Sequence, residues 1–216
     1  MSSSSPSPAE ETRQILVACK ALLADDHFVY ISGDHGSGWV AKDRIFFDMA
    51  RVRRLTQLLA GIVKRFDAEI LCGPATGGLI VAQWTAYEPS LPAVFTEHDP
   101  AHKRTEIRGR FGLHRGYDKL VHGKRTLVVD DVVNTGLSVR QTAEAVTAAG
   151  GNVVAVGSLV DRGNVDAAGI GVPEYAYLMT YEIPNWPAAE CPLCKAGVPV
   201  NVENAHGADF VAAKSG

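Results

Sequence analysis

The stretch TLVVDDVVNTGLS, residues 126–138, runs four β-forming or apolar residues into two adjacent carboxylates and closes on Thr-Gly-Leu-Ser. Two like charges side by side are costly to bury without partners, so Asp130 and Asp131 belong where a buried strand ends. The loop behind them, Val132, Val133, Asn134, Thr135, Gly136, Leu137 and Ser138, feeds a segment in which Leu137, Val139, Ala143, Val146 and Ala149 recur at helical spacing. Backbone N–H groups and hydroxyls at the start of such a helix suit a phosphate. Carboxylates touching that phosphate would repel it. They fit hydroxyls a few ångströms further along the same ligand, and a sugar phosphate has both ends.

Two more stretches carry chemistry of the same kind. GPATGG, residues 73–78, sits between an apolar strand and a helix, and its glycines allow a second anionic group to approach the backbone; an ordinary structural turn has the same composition. KRTEIRGRFGLHR, residues 103–115, sets Lys103, Arg104, Arg108, Arg110, His114 and Arg115 against the single acid Glu106. So basic a loop in a chain of net charge −3 reads as a lid over a polyanion, or as a solvated face. CPLC, residues 191–194, reads as half a zinc site, a redox pair or two incidental thiols. For a structural metal at Cys191 and Cys194, His206 is the further ligand close in sequence, and the rest would come from elsewhere in the chain or from a second copy.

The elements that must position these groups alternate. A helix is expected over residues 10–24, a small hairpin in HFVYISGDHGSGWVAKD, a longer helix over 44–66, a short buried strand in AEILCGP, a helix in GGLIVAQWTAYE and a strand in LPAVFTE. Residues 97–117 show no clear period. From 125 follow a strand, the acidic loop, a helix stopped by Gly150-Gly151 and the strand NVVAVGSLV, with one further strand in EYAYLMTYEI. This order implies an α/β fold, a mainly parallel twisted sheet flanked by helices, whose ligands bind beyond the carboxyl ends of the strands. Residues 1–10 read as a disordered tail, 11–190 as the main domain with accessory elements at about 11–43 and towards the C-terminus, and 191–216 as a C-terminal segment.

At 216 residues the chain is long enough for a substantial core, and 46% hydrophobic residues befit a soluble globular protein. The mild negative charge gives no reason to expect nucleic acid or an anionic membrane surface as partner. No apolar run approaches the roughly 20 residues that span a bilayer. The opening MSSSSPSPAEE lacks the pattern of a secretory signal, and four cysteines, with Cys19 and Cys72 expected to be buried, fit a reducing cytoplasm.

LVVDDVVNTGLS resembles the 5-phosphoribosyl-1-pyrophosphate (PRPP) signature of the type I phosphoribosyltransferases. In the order of its parts the chain is similar to the orotate phosphoribosyltransferases. ALLADDHFVYISGDHGSGWVAKD resembles their N-terminal hood segment, ILCGPATGGLIVA their pyrophosphate loop and SLVDRG their later Asp-Arg pair, so the likeness covers roughly residues 11–165. The resemblance implies that fold, with a small hood built from N- and C-terminal segments. It also implies Mg²⁺-dependent transfer of a phosphoribosyl group from PRPP to a nucleobase nitrogen, by a cytoplasmic homodimer. Asp130 and Asp131 would hold the ribose hydroxyls with Mg²⁺ nearby, Asn134 to Ser138 the 5-phosphate, and Ala75, Thr76 and Gly77 the pyrophosphate, with a cis bond between Ala75 and Thr76. Lys103, with Arg104 and His102 behind it, would supply the lid cation. Arg162 would meet the base, with Trp39 or Tyr30 as an apolar wall. The chain departs from that pattern at Glu97-His98, where the relatives carry Arg-Lys, at Ile31 for lysine, and at Val40-Ala41 for aromatics. The expected acceptor is an orotate-like pyrimidine; a purine or other base, or a non-catalytic PRPP or nucleotide sensor, are the alternatives.

Overall fold

A computed structural model describes residues 5–30, 32–98 and 110–214. Helix α1 (Pro8–Ala18) is followed by four two-residue strands, β1 (Leu22–Leu23), β2 (Phe28–Val29), β3 (His35–Gly36) and β4 (Trp39–Val40). The middle of the chain contains α2 (Met49–Val63), β5 (Ile70–Pro74), α3 (Gly77–Tyr87), β6 (Ala93–His98), β7 (Phe111–Leu113), α4 (Tyr117–Val121), β8 (Arg125–Val133), α5 (Leu137–Ala148), β9 (Asn152–Asp161), α6 (Ala167–Ile170) and β10 (Tyr175–Thr180). The chain then forms β11 (Asn185–Trp186), α7 (Pro192–Lys195) and α8 (Gly207–Lys214).

The chain divides into two compact units. The larger takes Met1–Arg13 and Asp48–Tyr181, the smaller Gln14–Phe47 and Glu182–Gly216. The larger unit is the expected α/β layer: a six-stranded sheet in the order β10-β9-β8-β5-β6-β7, parallel except for β7. Helix α5 covers the face that presents Ile70, Cys72, Val94, Val128 and Val156, while α2 and α3 pack on the other. With both faces covered, β8 is apolar on both sides through Thr126–Val129, which explains a run without alternation. The smaller unit holds a three-stranded antiparallel sheet, β11-β3-β2, and the β1–β4 pair.

Several boundaries differ from the sequence reading. The helix expected from residue 10 to 24 already starts at Pro8, inside the tail assigned to residues 1–10, and stops at Ala18. Lys20 turns into the left-handed region at φ 54°, and Leu22–Leu23 pairs with Trp39–Val40 instead of continuing the helix. The helix expected over 44–66 is shorter because Asp48 caps it, Oδ1 accepting from the N–H groups of Ala50 and Arg51 at 3.1 and 3.2 Å; single 3₁₀ turns flank it at Lys42–Arg44 and Lys64–Phe66. Residues 97–117, read as aperiodic, contain the end of β6, all of β7 and the start of α4. Residues 191–216 lie within Glu182–Gly216, which forms one compact unit with Gln14–Phe47.

Candidate active site

The strand order itself marks a crevice. From β5 the chain moves to β6 on one side, then returns to place β8, β9 and β10 on the other, so the winding reverses between β5 and β8. β5 pairs with β8 only from Ile70–Thr126 to Cys72–Val128, whereas β8 stays paired with β9 as far as Val133–Asp161. β5 therefore turns away just where β8 reaches its acidic pair.

Two glycines close that gap. A methyl group at Gly77 would stand 1.7 Å from Asp131 Oδ2, and one at Gly78 would stand 2.9 Å from Asp130 Oδ1 and 2.5 Å from Pro74. The glycine turn and the carboxylates are thus one packed constellation, and no residue with a Cβ fits at either position without moving it. Asp130 and Asp131 are 7% and 0% exposed. Asp130 Oδ1 accepts from the N–H of Asp131 at 2.9 Å, and Asp131 Oδ1 accepts from the N–H of Val132 at 2.6 Å. The Ala75–Thr76 bond is cis, as the resemblance implied. The Ala75 N–H donates to the Thr96 carbonyl at 2.8 Å, tying this loop to β6.

Beyond Val133 the loop exposes Asn134 and Thr135 and passes through Gly136 at φ 73° into α5, whose first turn has no side-chain cap. Gly136 is packed as well as left-handed: a Cβ there would meet Ile170 at 3.0 Å and Val165 at 3.2 Å. Asn164 donates to Asn134 at 2.6 Å, and the Arg162 N–H donates to the Val133 carbonyl at 2.9 Å, so the loops after β8 and β9 are joined at two points. Arg162 is 5% exposed. Its neighbour Asp161 accepts from the Gly163 N–H at 3.0 Å and from the Tyr175 hydroxyl at 3.2 Å; burial raises the pKa of that hydroxyl above the usual tyrosine range.

The basic loop is less uniform than its composition implied. Arg115 makes a two-pronged ion pair with Glu97, at 2.9 and 3.0 Å, across the β6–β7 ladder. The guanidinium holds the Glu97 carboxyl below the usual carboxylate range. Arg115 is thus engaged with Glu97 and does not stand unpaired among the cations of the loop. His98 stacks on Phe111 with ring centroids 4.3 Å apart. His102, Lys103 and Arg104 lie outside the described residues, as does Ile31.

Tyr30 and Trp39 belong to the smaller unit, stacked with centroids 6.0 Å apart. Tyr30 is buried and its hydroxyl donates to the Gly38 carbonyl at 2.8 Å, whereas Trp39 is half-buried. Cys191 is buried and Cys194 exposed; His206, the ligand expected beside them, instead faces Asp209 at 3.5 Å. Sequence reasoning missed Gly78 as a partner of Asp130, Asn164, and the Glu97–Arg115 pair. No local signal marked that pair, whose members are 18 positions apart.

A crevice at the winding reversal, with a glycine turn packed on two carboxylates, is where an open α/β sheet takes its ligand. The phosphoribosyl transferase domain matches residues 43–167, and the chain belongs to that family; it is an enzyme, a phosphoribosyltransferase. Within the family, relatives of high similarity include several named orotate phosphoribosyltransferase. The orotate phosphoribosyltransferase of Heliobacterium modesticaldum is 36% identical over 82% of this chain and 88% of its own length, and that of Thermotoga maritima 34% over 90% and 98%. The crystal structure of the orotate phosphoribosyltransferase from Aeropyrum pernix is 25% identical, with TM-score 0.59 over 86% of this chain and 99% of that one.

Proposed function

We propose that the enzyme transfers the 5-phosphoribosyl group of PRPP to a ring nitrogen of orotate, releasing pyrophosphate. The observation that carries this reading is the packing of Gly77 and Gly78 on Asp131 and Asp130, which brings a pyrophosphate-type turn and a hydroxyl-binding acidic pair to one strand end. Relatives at 34–36% identity named for orotate support the acceptor.

Asp130 and Asp131 accept from the two ribose hydroxyls. The N–H groups and hydroxyls of Asn134–Ser138 hold the 5-phosphate at the start of α5. Held at both ends, the ribose keeps its anomeric carbon fixed while the bond to pyrophosphate lengthens and positive charge develops on the ring. Ala75, Thr76 and Gly77 form the turn that receives the departing pyrophosphate, with the N–H groups of Thr76 and Gly77 as donors, and Lys103, Arg104 and His102 are assigned to neutralise its growing charge. Arg162 is assigned the carboxylate of the acceptor. Two carboxylates at one strand end are the hard oxygen donor set that Mg²⁺ takes together with substrate phosphates, and the ion would supply charge neutralisation on PRPP.

We also propose that the enzyme works as a homodimer in the cytoplasm. The exposed Tyr87, beside Trp84 on α3, offers an aromatic contact face; the four free thiols suit a reducing compartment. Among the described residues no helix is long and apolar enough to cross a membrane.

The test is pyrophosphate release from PRPP and Mg²⁺ with orotate, uracil, adenine and hypoxanthine in parallel. Orotate should be used far better than uracil. Equal use of the two, or release only with a purine, overturns the acceptor assignment, and no release with any base overturns the reaction.

A further inference from the structure

We propose that the smaller unit binds a structural zinc ion through His27, His35, Cys191 and Cys194. These four side chains each turn one ligating atom to a common point, and the four atoms lie within 4.8 Å of one another. Cys194 Sγ is 3.3 Å from His35 Nδ1 and 3.7 Å from His27 Nε2, and Cys191 Sγ is 3.6 Å from His27 Nε2. A tetrahedral zinc with Zn–S near 2.3 Å and Zn–N near 2.05 Å sets sulfur–nitrogen edges of about 3.6 Å and a nitrogen–nitrogen edge of about 3.4 Å. These three sulfur–nitrogen edges agree within a few tenths of an ångström. The two ring nitrogens, 2.8 Å apart, would move apart by about 0.6 Å to admit the ion.

The surroundings prepare these atoms for the metal. His27 Nδ1 lies 2.8 Å from the Val198 carbonyl, which only accepts, so Nδ1 carries the proton and Nε2 keeps the lone pair that faces the thiols. The His35 ring stands perpendicular to Phe210, at 84° with centroids 5.0 Å apart, which fixes its plane. His27, His35 and Cys191 are at most 1% exposed. Around the thiols, Lys195 N donates to the Cys191 carbonyl and Gly197 N to the Cys194 carbonyl, and Gly197 adopts φ 69°. This turn folds both cysteines towards the histidines. Two thiolates and two imidazoles form a closed N₂S₂ set, too soft for magnesium and with no position left for a reacting water, which points to zinc in a structural role.

The unit needs such a tie. Its strands are two residues long, and it falls in the size range, below about 70–80 residues, where one core rarely suffices. The ligands come from its two chain segments, more than 150 positions apart, so one ion joins both. The proposal stands apart from the phosphoribosyl reading and is tested without a substrate.

The test uses the full chain, purified without chelator or a histidine tag. Metal analysis should find one zinc per chain. Exchange for cobalt(II) should give the strong visible bands of a tetrahedral ion together with thiolate-to-cobalt charge transfer in the near ultraviolet. Cys194→Ser and His35→Gln should each weaken zinc binding by more than about a hundredfold, while Cys19→Ser leaves it unchanged. If the ligand variants fail to fold, the cobalt spectrum of the unaltered chain decides alone. A reduced chain that neither retains zinc nor gives the thiolate–cobalt spectrum overturns the proposal, as does a native Cys191–Cys194 disulfide.

Discussion

Asp131 is wholly buried at the point where a hydroxyl-rich ligand would be read, so charge and shape can be separated by mutation. Asp130→Asn and Asp131→Asn keep the volume but replace an acceptor oxygen with a donor. Each should lower kcat/KM for PRPP by about a hundredfold or more while the circular dichroism spectrum stays that of the parent. Normal kinetics in both would remove the acidic pair from the mechanism. The glycines give a finer contrast. A methyl at Gly77 meets the buried carboxylate of Asp131, so Gly77→Ala should displace that carboxylate and raise KM for PRPP by at least about tenfold. A methyl at Gly73 meets backbone, the Gly78 carbonyl at 2.0 Å, so Gly73→Ala should cost about 1–3 kcal/mol in urea denaturation. Arg162→Ala should raise KM for the base by about thirtyfold or more and hardly alter PRPP affinity; the reverse pattern would assign Arg162 to the phosphate end. At this scale the acidic pair and the glycine turn were legible because each is contiguous in sequence. Their mutual packing was not, since Gly77 and Asp131 meet only once β5 and β8 are neighbours.

Among elements, the β6–β7 pair shows how composition misleads. Arg115 stood in a run of cations, yet its guanidinium is committed to Glu97. Arg115→Ala should leave kcat near that of the parent, whereas Lys103→Ala should lower it by about ten- to a thousandfold, measured as initial rates at saturating PRPP. Equal losses would return Arg115 to the lid. The strand, acidic loop, helix, strand passage was legible because α5 keeps its apolar period and β8 and β9 lie buried on both faces. The ends of α1 and α2 were not: one depends on a left-handed Lys20, the other on which of several polar residues becomes the cap.

For the whole molecule, Cys72 in the centre of the sheet gives stability a pH dependence. An ordinary thiol ionises near 9.0, and burial pushes Cys72 up to about 12. Below pH 9 both folded and unfolded chains hold the proton, and the contribution is complete. Between 9 and 12 the unfolded chain releases a proton the folded chain keeps, so stability falls by up to about 1.4 kcal/mol per pH unit. Denaturation midpoints should therefore drop more steeply above pH 9 in the parent than in Cys72→Ala; parallel slopes would mean that Cys72 titrates as an exposed thiol. The mainly parallel sheet could be anticipated from alternating elements, whereas its strand order was not read. The pairing of His27 and His35 with the CPLC turn could not, because nothing local links positions so far apart.

That distance bears on synthesis. A nascent chain finishes the strands of the larger unit once Thr180 has emerged, and domains generally fold as units while the ribosome is still elongating. Gln14–Phe47, made far earlier, must wait through the whole of that interval for Glu182–Gly216. Phe28, Val29 and Val40, buried in the finished molecule, have no completed core of their own until Glu182–Gly216 has been made. A segment made before the larger unit thus completes its fold after it, and in the interval it is the stretch that a chaperone or protease would find open.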